Sequence, residues 1–96
     1  LAAAMVPANG LGATEIPASI MGGGTDHWPF HQAGVPATAA SQEAVDYHTH
    51  THHSQVDTLD HVVKEDLVQG AQVMAATAWG LLNGERIPHH PAAKGR

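Results

Sequence analysis

His48, His50, His52 and His53 stand within six consecutive positions, in the run YHTHTHHSQVDTLDH, and Asp57 follows four residues after the last of them. Imidazole is the commonest protein ligand for zinc and other borderline metals, so this run is where metal chemistry would be sited. A second island, residues 22–30 (GGGTDHWPF), sets Asp26 beside His27. On composition alone the His run has a plain reading as a solvated polar loop or an adventitious binder of nickel and copper. With nine histidines in a chain of formal charge −5, the charge rises steeply as the pH falls through the imidazole range.

Several elements must position these residues. Residues 1–6 favour a helix that Pro7-Ala8-Asn9-Gly10 stops. Residues 13–21 (ATEIPASIM) read as extended or irregular, because Pro17 cannot donate to a central ladder. Gly22-Gly23-Gly24 reads as a flexible loop; without a following Gly-Lys-Ser/Thr it is no phosphate cradle. Asp26 can cap a short helix that contains Pro29 and that Gly34 ends. Residues 35–40 (VPATAA) are apolar enough for a short strand covered on both faces. The His run then occupies a loop, and residues 58–63 lead into a helix over 64–82. Glu65 and Asp66 suit the positive end of that helix, and Asn83-Gly84 terminates it. Its expected buried stripe is Leu67, Ala71, Met74, Ala75, Ala78 and Leu82. Residues 85–96 read as a flexible tail, and no internal repeat is visible.

Ninety-six residues suffice for one small domain, in which much of the surface stays exposed. Only four residues are aromatic, while alanine, ten glycines and six prolines dominate. Such a composition suits a piece of a larger fold, as does a start at Leu1 rather than Met. The acidic balance argues against a phosphate-neutralising surface, hence against nucleic acid as a partner. The absence of cysteine excludes disulfides and thiolate metal sites and leaves the compartment open. No apolar run approaches the roughly 20 residues of a membrane span, and the opening LAAAMV has no basic region of the kind that begins a signal peptide.

Two motifs in the His run carry resemblances. His48-x-His50-x-His52-His53 is similar to the HxHxDH motif of metallo-β-lactamase-like hydrolases, but His52 stands where that motif has aspartate. The unit His53-Ser54-Gln55-Val56-Asp57-Thr58 resembles the His-x-x-x-Asp-Thr signature of co-catalytic zinc exopeptidases, the aminopeptidase and plasma glutamate carboxypeptidase family. The likeness continues in order along the chain. Thr25-Asp26-His27-Trp28-Pro29-Phe30 and Ala33-Gly34-Val35-Pro36 resemble the family's (S/T)DHxPF and AG(V/I)P segment. Tyr47, the His-His-Ser triplet and the DTLDHV…EDL passage fall where the family has them. The likeness covers residues 23–82. Glutaminyl cyclases are relatives, but they usually carry Trp immediately before the ligand, where His52 stands here.

The resemblance implies an α/β fold: the C-terminal portion of a mixed-sheet zinc exopeptidase, with a short helix, a strand, the His-rich loop and a long terminal helix. Residues 1–84 would be the C-terminal part of the catalytic domain. It further implies two zinc ions in the parent enzyme, with His53 as the last ligand in chain order. Asp26 would accept a hydrogen bond from a ligand or bound water, or simply cap its helix. His27 would line the substrate pocket or lie on the helix surface. Asp57 would fix the loop, by capping the turn at Thr58 or by orienting the imidazole of His53. The implied partners are a peptide or dipeptide substrate and the missing N-terminal part of the catalytic domain, where the remaining ligands and the general-base glutamate are expected. Secretion or a periplasmic location fits the resemblance. One imidazole cannot hold zinc tetrahedrally, so the chain alone is expected to be inactive. The competing reading is a non-enzymatic, His-rich metal-binding polypeptide with weak sites spread over His48, His50, His52, His53, His89 and His90.

Overall fold

A computed structural model describes residues 1–16 and 25–92. The expected loop at Gly22–Gly24 and the residues around Pro17 lie outside the described residues, as does the end of the expected tail. Ala2–Ala8 wind into a 3₁₀ helix that takes in Pro7, one turn type tighter and slightly longer than the sequence suggests. Pro7 sits in its last turn and gives up only its own N–H, so it does not stop the winding.

Helix α1 spans His27–Gln32. Its end follows from Gly34, which takes φ +84°, a conformation that costs a residue with a Cβ about 1–2 kcal/mol. The Gly34 N–H donates to the His31 carbonyl and the Val35 N–H to the Phe30 carbonyl, both at 3.0 Å. That pair of bonds is the Schellman pattern, which satisfies the orphan carbonyls of the last turn. The chain beyond α2 returns to this corner: the His90 N–H donates to the Gly34 carbonyl at 3.0 Å, and a Cβ on Gly34 would collide with the carbonyl of His90.

Helix α2 spans Lys64–Asn83, with Glu65 and Asp66 in its first turn as the macrodipole favours. Gly84 ends it in extended backbone (φ −96°, ψ −174°) rather than in the left-handed form, and the Asn83 side-chain amide donates to the Trp79 carbonyl. The half-covered positions of α2 are Asp66, Gly70, Val73, Ala76, Thr77 and Gly80, spaced by three or four residues. The 3₁₀ helix packs against α2, and at Gly80 its backbone comes so near that a Cβ would strike the Ala4 carbonyl. The expected stripe is therefore corrected. Leu67, Met74 and Leu82 are 61%, 63% and 83% exposed, because close approach of two backbones selects small residues and turns the large ones outward.

The expected α/β, mixed-sheet fold is likewise corrected. The described residues form helices and turns, with no strand among them. Residues 35–40, expected as a strand, have no ladder partner beside them, and the N–H of Val35 is already engaged by the end of α1. A strand exists only through its pairing, so apolar composition alone did not make one. The buried positions among the described residues are Ala8, Gly34 and Thr51. The molecule measures 41 × 39 × 18 Å, about two packed helices thick. Its accessible surface of 7971 Å² compares with roughly 5,200 Å² for a compact monomer of its mass.

Candidate functional site

The His run is built by local hydrogen bonding. Val45 enters it at φ +44°, a strained conformation for a β-branched residue. The Asp46 carbonyl then accepts the N–H groups of Thr49, His50 and Thr51 at 3.2, 2.8 and 3.4 Å, and Tyr47–Thr51 form a single π-helical turn. Thr51 is 6% exposed and its hydroxyl faces the Tyr47 carbonyl at 3.5 Å. The hydroxyl of Tyr47 and Nδ1 of His52 share a hydrogen bond of 2.5 Å, with the rings 4.7 Å apart. The ring of His53 lies 4.0 Å from that of His52. Ser54 closes the turn, its hydroxyl donating to the His50 carbonyl and accepting the Val56 N–H.

His53 takes φ +55°, in the left-handed region where histidine is enriched over most side chains. The side chain is exposed, and among the described residues neither ring nitrogen has a hydrogen-bond partner. Asp57, four residues on, is also exposed. The Thr58 N–H donates to the Val56 carbonyl. The carboxylate of Asp57 acts at a distance, as one of three that favour the charged form of His61.

Two polar pairs at the end of this loop escaped the sequence reading. Nδ1 of His61 donates to Oδ2 of Asp46, across fifteen residues and with both side chains largely covered. That bond raises the His61 pKa above the ordinary imidazole value of 6.5; partial burial opposes it, and the charges of Asp46, Asp60 and Asp57 reinforce it. The Thr58 hydroxyl donates to Oδ1 of Asp60 at 2.6 Å, which lowers the Asp60 pKa below 3.8. Both pairs sit at Leu59–His61, a 3₁₀ turn leading into α2. His61 is visible in the sequence as the last residue of the run, and Asp46 as the residue before Tyr47. Only the folding of the loop shows that they meet.

Asp26 stands at the N-cap position of α1, exposed, and makes no capping bond. The Thr25 hydroxyl shares a hydrogen bond with Nδ1 of His27, whose Nε2 is buried without a partner. His31 stacks between Trp28 and His90, at 5.6 and 4.6 Å between centroids, while Phe30 is 59% exposed. Among the described residues no hydrogen bond or ring contact joins Asp26 or His27 to the His run. Nor do any three His, Cys, Asp or Glu side chains among them converge on a point that would take a metal ion. The donor set of the described residues thus does not fit a complete metal centre, and no catalytic step is assigned to them alone.

Residues 2–78 match the model of peptidase family M28. No curated protein and no solved structure matches the chain.

Proposed function

From the premise that this chain belongs to peptidase family M28, we propose that it is part of a zinc-dependent exopeptidase acting on terminal peptide bonds or dipeptides. In this reading His53 supplies one ligand to a two-zinc centre, and residues outside the chain supply the others and the general base. The observation that supports His53 is that its ring nitrogens are free of hydrogen bonds among the described residues while those of two neighbours are not. His52 is committed to Tyr47 and His50 is hydrogen-bonded to the Thr49 hydroxyl, while the His53 imidazole is exposed, touches only the His52 ring and keeps both nitrogens without a hydrogen bond among the described residues. Its left-handed backbone turns it out of the π-helical run, and it stands four residues before Asp57, as in the His-x-x-x-Asp-Thr signature. A single imidazole leaves at least three tetrahedral positions of a zinc to other donors, so the chain alone is inactive as a peptidase.

The test is metal content and peptidase activity of the whole enzyme carrying His53→Ala, beside His48→Ala and His50→Ala. Loss of one ligand should lower zinc occupancy and activity by more than the roughly 10–100-fold that follows loss of a supporting hydrogen-bond partner. The other two substitutions should leave both within a few-fold. Equal, small effects at all three positions would overturn the assignment and favour a distributed, non-enzymatic metal binder.

A further inference from the structure

The loop of residues 47–60 carries every candidate ligand of the His run, and it would be expected to wander. A loop of this length gains little from its own packing: among its residues only Thr51 is buried. It enters through strained Val45, and such backbone persists only where the surroundings over-determine it. What over-determines it is the residue that follows. The main-chain carbonyl of Asp46 gathers the N–H groups of Thr49, His50 and Thr51 together with the Thr49 hydroxyl, which donates at 3.2 Å. Its carboxylate reaches the far end of the loop and accepts from His61. One residue therefore starts the turn and also closes the loop.

We propose that Asp46 and His61 form a clasp that joins the two ends of the loop and thereby sets where His53 stands, making both of them positioning residues. The functional consequence rests on the reading of His53 as a ligand; the clasp itself does not. It lines a cleft of about 250 Å³ shared with Tyr47, Thr51 and the first turn of α2. The charged and titratable groups facing His61 there are Asp46, Asp57 and Asp60, with Asp66, Glu43 and Tyr47 on the same cleft wall. All are acidic, so the protonated imidazole is the favoured partner and the clasp loosens when that proton leaves. The direction of the His61 pKa agrees with this geometry.

The experiment is a proton-NMR titration of the imidazoles of the 96-residue chain, with amide exchange followed residue by residue, in the unmodified protein and in Asp46→Ala and Asp46→Asn. In the unmodified chain His61 should titrate above 6.5, and in Asp46→Ala its pKa should fall. Exchange at Thr49, His50 and Thr51 should then quicken by about tenfold or more, while the middle of α2 keeps its protection, because local opening leaves the rest of a structure closed. Asp46→Asn keeps an acceptor but removes the charge: it should lower the His61 pKa while retaining more loop protection than Asp46→Ala. An unmodified His61 that titrates at the ordinary value, whether in an ordered or an unfolded chain, overturns the clasp. Unchanged loop exchange in Asp46→Ala overturns it as well. A clasp that passes while His53→Ala retains zinc would locate the failure in the ligand assignment instead.

Discussion

The loop of residues 46–61 and the helix pair formed by Ala2–Ala8 with α2 are both ordered with scarcely a buried side chain, but by different means. The loop is tied by directed polar bonds: a carbonyl that gathers N–H groups, a carboxylate on an imidazole, the hydroxyls of Thr49, Thr51 and Ser54 on main-chain carbonyls. The helix pair is held by closeness, with Gly80 lying where any Cβ would strike Ala4. The first kind of order depends on protonation and on single polar atoms. The second depends on the absence of atoms, and is indifferent to pH. The difference explains why polar residues populate the loop and small ones the inner face of α2.

The comparison is broken most forcefully at Gly80. Replacing Gly by Leu in a helix interior gains roughly 1 kcal/mol in propensity. Here the gain should be outweighed, because the new side chain must push the 3₁₀ helix away, and overpacking of this kind costs about 1–3 kcal/mol. Urea denaturation followed by circular dichroism should therefore show Gly80→Leu to be less stable than the parent chain. A more stable variant would mean that the two helices do not approach as described.

A smaller, pH-dependent effect sharpens the other half. Because the His61 pKa is raised by folding, its contribution is complete below 6.5, where the imidazole is charged in both the folded and the unfolded chain. It is lost as the pH rises through the raised folded value. The unfolding midpoint of the parent chain should therefore fall relative to that of Asp46→Ala as the pH is taken above 6.5. Parallel midpoints across that range would remove the pair as a source of order. Gly80→Leu, in contrast, should show the same deficit at every pH.

The smallest effect is expected on the outer face of α2. Leu82→Ser removes an apolar side chain that is 83% exposed, and should change stability by no more than about 0.5 kcal/mol. A loss of several times that amount would show that the face is covered in solution.

These contrasts also show what could be read from the residues alone. The limits of α1 and α2 were legible because they are written in local chemistry: Gly34 at a position needing φ +84°, acidic residues at one end of α2 and Gly84 at the other. The His run, expected as a loop, instead winds Tyr47–Thr51 into a π-helical turn, which no local residue pattern announces. The inner face of α2 was not legible either, since a hydrophobic pattern reports which side chains avoid water and says nothing of a neighbouring backbone that excludes any side chain at Gly80. The strand at residues 35–40 failed because pairing is a property of two segments, and apolar composition belongs to one. The Asp46–His61 pair was hidden by its fifteen-residue separation. His61 could be seen in the sequence, but not its partner.

The thinness of the molecule bears on its thermodynamics. Denaturant sensitivity and the heat capacity of unfolding both scale with the surface newly exposed when a chain unfolds. A slab 18 Å thick that already presents 7971 Å² to water has roughly 6,500 Å² left to expose, against roughly 9,300 Å² for a compact chain of the same mass. Its urea transition should be shallower than that of a compact chain of 96 residues, by roughly a third in slope, and its stability curve correspondingly flatter with temperature. Such a chain melts over a broader range than a compact one, until something covers its open faces and sharpens the transition.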